Sequence, residues 1–172
     1  MILYIRNAVF LALLLVFSFP VWSQGSSAPC SAPEYAQFDF WVGKWNVVDR
    51  KSRQPAGKNT IQKTLGGCIL FESWNGGGTM GHSFNTFDVK RGVWHQTWVD
   101  NQGTVLQLDG SLKDGAMVLE GKGLAKNGKT ELLHRITWTP QEDTVRQHWE
   151  VSKNGGKTWR NVFDGIYSRI SD

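Results

Sequence analysis

The sequence predicts an all-β fold, an antiparallel up-and-down meander barrel of about ten strands with a short N-terminal helix. Short runs in which apolar and polar residues alternate, such as 93–99 and 144–151, are typical of half-buried strands. Turns such as Asp114-Gly115 and Asn127-Gly128 separate these runs, and their residues tolerate the positive φ that tight hairpins require. Because a serial row of hairpins would otherwise leave two exposed edges, closure into a barrel is favoured.

The order of these runs places every expected element along the chain. The strands are expected at 44–50, 59–65, 68–75, 80–89, 92–99, 104–112, 116–123, 130–139, 144–152 and 158–169. The aromatic segment 34–41 lacks strand alternation and is expected to form the helix that plugs one end of the barrel.

The first residues have the pattern of a secretory signal peptide. Arg6 supplies a positive charge, the stretch 8–19 is continuously apolar, and Val21 and Ser23 are suitable residues before a cleavage site. The apolar stretch is short for a membrane span, so an N-terminal anchor is the less favoured alternative. We therefore expect a signal peptide at 1–23 and a mature chain that is exported to the periplasm or the extracellular space.

The remaining roughly 150 residues suit one domain with a sizeable core. Residues 24–33 are rich in Ser, Ala and Pro and are expected to form a flexible leader, with the barrel domain at 34–172. The net charge of +4 is spread over turns and is not massed in blocks. Neither this charge nor any sequence motif indicates a nucleic-acid partner.

Cys30 and Cys68 make an even number of cysteines in a chain that is expected to be exported. In an oxidising compartment such a pair is predicted to form a disulfide. It would join the N-terminal segment to the third strand and stabilise the fold by about 3–4 kcal/mol on the chain-entropy estimate.

Loop lengths set the hairpin registers, and the registers decide which side chains face inward. The loops 101–103, 114–115 and 140–143 are expected to pair Trp98 with Leu106, Leu112 with Met117 and Trp138 with Val145. The inward set is then Trp94, Gln96, Trp98, Leu106, Leu108, Met117, Leu119, His134, Ile136, Trp138, Val145, Gln147 and Trp149. The turn 90–92 leaves two alternatives: a four-residue loop sets Asn85 opposite Gln96, and a three-residue loop turns that strand over.

Gly43-Lys44-Trp45 opens the first strand directly after the aromatic segment. This Gly-x-Trp resembles the lipocalin and calycin signature, in which the Trp closes the barrel floor under a basic residue of the last strand. The resemblance makes Arg169 the expected partner of Trp45 through a cation–π contact, with a structural role in barrel closure.

A wider pattern extends this resemblance over nearly all of the mature chain. It consists of segments 38–45, 66–68, 83–85, 94–100, 137–140, 145–147 and 164–167, in that order. Together they resemble a family of secreted bacterial proteins of unknown function with a lipocalin-like barrel domain. The resemblance implies the fold and export, and it implies no activity.

No catalytic or metal-binding motif stands out in the sequence, and no cofactor is predicted. The four histidines lie on four different strands without the spacing of a zinc site. His134 is the one predicted to face inward among tryptophans, and nitrobindin-like barrels of similar architecture bind haem through an interior His. The carboxylates are mostly expected on turns or on the outward face, where water solvates them.

Eight of the nine tryptophans lie in the expected mature chain, and together with several inward amides they predict a container for a small apolar or amphipathic molecule. The predicted ligand-binding residues are Asn85, Trp94, Gln96, Trp98, His134, Trp138, Gln147 and Trp149. Three alternatives remain: an isomerase or hydrolase with His134 as general base, a haem-binding barrel with His134 as ligand, and a structural barrel whose interior is filled.

Overall fold

The computed structural model describes residues 28–125 and 127–170, and within them ten antiparallel strands form one closed barrel. The predicted signal peptide 1–23 and residues 24–27 of the predicted leader lie outside the described residues. The strands are β1 (Gly43–Asp49), β2 (Pro55–Thr64), β3 (Ile69–Asn75), β4 (Met80–Asp88), β5 (Val93–Asp100), β6 (Val105–Lys113), β7 (Ala116–Leu124), β8 (Glu131–Gln141), β9 (Thr144–Ser152) and β10 (Arg160–Arg169).

Each strand pairs with its neighbours in sequence, and the pairing of β1 with β10 closes the ring. This last ladder runs from Trp45 opposite Arg169 to Asp49 opposite Gly165. The predicted up-and-down barrel is therefore confirmed. Closure gives every strand a partner on both sides, so the sheet has no unpaired edge.

Two of the three loop-based registers are confirmed, since Trp98 pairs with Leu106 and Leu112 pairs with Met117. The turn after β4 contains four residues, because Asp88 pairs with Val93, and Asn85 accordingly lies opposite Gln96. These pairings place the side chains of β5 to β7 on the faces expected from the sequence and select the first of the two alternatives for β4.

The predicted register of β8 and β9 is wrong by two residues, because Trp138 pairs with Gln147 instead of Val145. The prediction ended β8 before Pro140, whereas the ladder continues through Pro140 and leaves only Glu142 and Asp143 in the turn. A shift of two residues keeps every side chain on its predicted face, since side-chain direction repeats every second residue.

The segment before β1 closes one end of the barrel as two short 3-10 turns, Pro33–Ala36 and Asp39–Trp41. Phe38 and Trp41 are fully buried, with their rings stacked 5.0 Å apart. Phe38 also meets Trp94 and Trp138 edge-on at 5.5 and 5.2 Å. We call this aromatic group the plug, defined as Phe38, Trp41, Trp94 and Trp138.

Trp45 lies beside the plug, 1% exposed, with the Arg169 guanidinium 4.3 Å from its ring centre. Arg169 Nη1 donates to the carbonyl of Val42, and Trp45 Nε1 donates to the carbonyl of Trp41. A side chain at Gly43 would place its Cβ 2.5 Å from Arg169 Nη1, and Gly43 has a φ of +146°. The Gly-x-Trp pattern is thus explained by the space that the guanidinium needs.

The predicted disulfide between Cys30 and Cys68 is present and closes a loop with a sequence separation of 38. Cys30 lies just before the first 3-10 turn, and Cys68 lies just before β3. The bond therefore ties the segment that carries the plug to the barrel wall.

We expect Trp45→Ala to lower the free energy of unfolding by about 3–5 kcal/mol, because the change removes a large buried aromatic side chain. Urea denaturation measures this loss, and Phe84→Ala, at an exposed aromatic, is the control. A loss below about 1 kcal/mol at Trp45 would contradict its role in closing the barrel.

Unfolded, unreduced protein is expected to carry no free thiol, because both cysteines are paired. The variant with both Cys30→Ser and Cys68→Ser should be less stable by about 3–4 kcal/mol, because its unfolded chain is less constrained. Quantitative thiol labelling and urea denaturation measure the two effects. Two reactive thiols in the unreduced wild type would contradict the pairing.

Candidate functional site

The barrel holds a cavity of about 420 Å³ in the half that lies away from the plug. Its walls come from the ends of the strands near the turns after β3, β5 and β9, whereas the plug packs near the opposite ends of β5 and β8. Val162, at the rim, is 41% exposed, so the cavity reaches the protein surface. The lining comprises Ala56, Glu72, Trp74, Gly76, Thr79, Gln96, Trp98, Asp100, Leu106, Ile136, Gln147, Trp149, Val162, Phe163 and Tyr167.

Three aromatic side chains of the cavity wall lie against glycines. A Cβ built on Gly81 would overlap the ring of Trp98, one on Gly57 would lie 2.8 Å from Trp74, and one on Gly165 would lie 2.6 Å from Phe163. Rings that occupy the space of missing side chains can lie along the wall instead of extending across the lumen. This arrangement accounts for an open cavity in a barrel that is rich in tryptophan.

A carboxyl group lies at the polar part of the cavity lining. Glu72, on β3, is 4% exposed. Its Oε1 accepts a hydrogen bond from Asn59 Nδ2 at 2.7 Å, and its Oε2 accepts one from Ser83 Oγ at 2.6 Å. The pairing of β3 with β4 brings these groups together, because Glu72 lies directly opposite Ser83.

A chain of amides sets the direction of the hydrogen bonds that reach Glu72. Gln96 Nε2 donates to Asn85 Oδ1 at 2.8 Å, and Asn85 Nδ2 donates to Ser83 Oγ at 2.8 Å and to the carbonyl of Leu70. Since Ser83 Oγ accepts from Asn85, its own proton remains available for Glu72. The network therefore presents donors to the carboxyl group of Glu72.

Burial raises the pKa of Glu72 above its usual range, and the hydrogen bonds from Ser83 and Asn59 oppose that rise. Among the described residues, no lysine, arginine or histidine side chain forms an ion pair with this carboxyl group. The neighbouring His82 contacts the backbone carbonyl of Glu72. Glu72 is thus a buried acid whose charge lacks a full counter-charge.

Tyr167, on β10, adds a neutral hydroxyl group to the same lining. Burial raises the pKa of its phenol well above the usual value, and the negative charge of Glu72 acts in the same direction. The phenol donates to Gln147 Oε1. Tyr167 therefore remains protonated at neutral pH and orients the amide of Gln147.

The predicted ligand-binding residues divide between the cavity lining and the residues packed around it. Gln96, Trp98, Gln147 and Trp149 line the cavity. Trp94 and Trp138 belong to the plug, while Asn85 is fully buried and connects to the lining through Gln96 and Ser83. The ligand-binding role of all of them stays a prediction.

His134 faces inward beside Trp149 but is not among the described residues that line the cavity. Its Nδ1 accepts a hydrogen bond from Trp149 Nε1 at 3.1 Å, and burial lowers its pKa. His134 is therefore neutral at pH 7, with one ring nitrogen already occupied.

Sequence reasoning missed Glu72 and the role of Tyr167, because carboxylates were expected mostly on turns or outward faces. The strand β3 carries large apolar residues on both faces, so its own pattern leaves the inward face undetermined. A usable signal existed in the turn between Asn75 and Met80, which pair with each other. A four-residue loop there sets Glu72 opposite Ser83, on the same face as Asn85.

No protein-family model matches this chain, and a comparison with curated proteins gave no significant match. Within residues 28–125 and 127–170, no three histidine, cysteine or acidic side chains gather to hold a metal ion. The same residues contain no helix with the length and apolarity needed to cross a membrane.

We expect the free energy of unfolding of Glu72→Gln to rise relative to that of wild type as the pH increases. The pKa of Glu72 is raised in the folded protein, so its contribution is fully present below the unfolded pKa and is lost as the pH rises through the folded value. Urea denaturation from about pH 4 to about pH 9 measures the difference between the two proteins.

Glu131→Gln is the control for this comparison, because it removes one carboxylate from the exposed surface of β8. A difference between Glu72→Gln and wild type that stays constant over the pH range would contradict the desolvated state of Glu72.

Proposed function

We propose that this protein is an exported, lipocalin-like binding protein that holds a small amphipathic molecule in its barrel cavity. The observation that carries the proposal is the cavity of about 420 Å³, which opens at the rim and is lined by aromatic rings. Ligand pockets in proteins have volumes of about 300–1,000 Å³ and combine apolar walls with a few polar groups. Here the polar groups of the described lining are Glu72, Thr79, Gln96, Asp100, Gln147 and Tyr167.

The glycines beneath the wall rings support binding over a purely structural role. A barrel that serves only as a scaffold gains stability from side chains that fill its lumen, because empty space forfeits van der Waals contacts. Trp74, Trp98 and Phe163 instead lie over glycines and leave space between them.

The two alternatives that rely on His134 receive less support. A general base or a haem ligand must reach the bound molecule, but His134 is absent from the described residues that line the cavity. Its Nδ1 is occupied by Trp149. Binding without chemistry at His134 is therefore the function that the geometry favours.

Export and the family resemblance are part of the same proposal. The disulfide between Cys30 and Cys68 favours an oxidising compartment, which agrees with the signal-like pattern at 1–23. The Trp45–Arg169 contact at the plugged end agrees with a lipocalin-like barrel.

We expect the neutral fluorescent probe N-phenyl-1-naphthylamine to bind in the cavity, with increased probe emission and quenched tryptophan emission. Ala56→Phe should weaken this binding at least tenfold, because the added ring occupies part of the cavity. Unchanged probe binding in a folded Ala56→Phe variant, or no binding by wild type, would contradict the proposal.

Within the same assay, Gln147→Leu should retain the fold and change the ranking of ligands with polar head groups, because it removes an amide of similar size from the lining. His148→Ala is the matched control, since His148 is the next residue on β9 and does not line the cavity among the described residues. Sensitivity at His148 with no effect at Gln147 would argue against the cavity as the binding site.

A further inference from the structure

The cavity lining is acidic, although the whole chain has a net charge of +4. The described lining contains the carboxyl groups of Glu72 and Asp100 and no lysine, arginine or histidine. A cleft of one charge sign with low-dielectric walls attracts ligands of the opposite sign. A fatty acid or another anionic amphiphile would meet repulsion here.

The groups around Glu72 offer more hydrogen-bond acceptors than the protein satisfies. Gln96 Nε2 donates to Asn85 and Ser83. Gln96 Oε1 is an acceptor that receives no hydrogen bond from the described residues. Each carboxyl oxygen of Glu72 accepts one hydrogen bond from the protein, and a carboxylate oxygen can accept a second.

A surplus of acceptors calls for a ligand rich in donors. An alkylammonium group has three N–H donors and one positive charge, and it has no acceptor. It would pair with the carboxylate of Glu72 and offset the cost of burying that charge. This cost is the reason that burial raises the pKa of Glu72. A hydroxyl group supplies one donor and no charge, so it satisfies the site less well.

The wall above Glu72 suits the rest of such a molecule. Trp74 lies 5.8 Å from Phe163 and 6.5 Å from Tyr167 between ring centres, and all three line the cavity with Glu72. Aromatic faces bind hydrocarbon and also attract cations through the negative potential of the ring. The same wall can therefore hold the apolar body and favour the positive head group.

Given the proposed binding function, on which this inference rests, we infer that the natural ligand class is an amphiphilic primary amine. Its ammonium group pairs with Glu72 and donates a hydrogen bond to Gln96 Oε1. Its apolar body lies between the aromatic rings of the cavity wall. Glu72 is then the residue that determines specificity.

The test compares octylamine, octanol and octanoate, which share one chain length and differ in the head group. Each displaces N-phenyl-1-naphthylamine from the full-length protein at neutral pH. We expect octylamine to bind at least tenfold more tightly than octanol and octanoate to bind most weakly. In Glu72→Gln the advantage of the amine over the alcohol should fall below threefold, with octanol affinity nearly unchanged.

Glu131→Gln, at an exposed carboxylate, is the control and should keep the wild-type ranking. Equal or weaker binding of the amine relative to octanol in wild type would overturn the inference, whatever the folding of the variant. If the probe and octanol still bind in that case, the proposed binding function is retained and only the amine specificity is refuted. Failure of the probe and all three ligands to bind would refute the proposed function itself.

Discussion

The pairing of β1 with β10 is the constraint on which the rest of the structure depends. Without it the meander would be an open sheet with two unpaired edges and no enclosed lumen. Trp45 and Arg169 face each other in this ladder, and the guanidinium bonds to the carbonyls of Val42 and Phe40 before β1. One contact thus joins the first strand, the last strand and the segment that carries the plug.

The closed barrel uses its aromatic residues in opposite ways at its two ends. At the plugged end, Phe38 and Trp41 fill the lumen against Trp94 and Trp138, which stabilises the fold by burying large apolar surfaces. At the open end, rings such as Trp98 lie over glycines and leave the lumen empty. One end of the barrel is therefore filled by aromatic packing, while the other keeps a cavity between its aromatic rings.

The buried carboxyl group of Glu72 is a second feature of the site that lowers the stability of the fold. A buried carboxyl group costs stability unless its charge is compensated. Here the compensation within the described protein consists of hydrogen bonds from Ser83 and Asn59 and a smaller electrostatic contribution from His82. A leucine at this position would fill the space without a desolvation penalty. The cost is understandable if a bound cation supplies the missing charge, which is the basis of the inferred amine specificity.

The sequence by itself determined the strand and turn order, the Cys30–Cys68 pair and the inward face of most strands, because glycine turns and two-residue alternation are local properties. It even kept the inward face of β9 correct when the loop length was wrong by two residues. Only the tertiary structure decided which inward residues pack into the plug and which border the cavity, with Trp138 in the plug and Gln147 in the cavity lining. It also decided that Glu72 lines the cavity, because alternation tells inside from outside, whereas closure, the plug and long-range strand pairing determine which inward groups border the cavity.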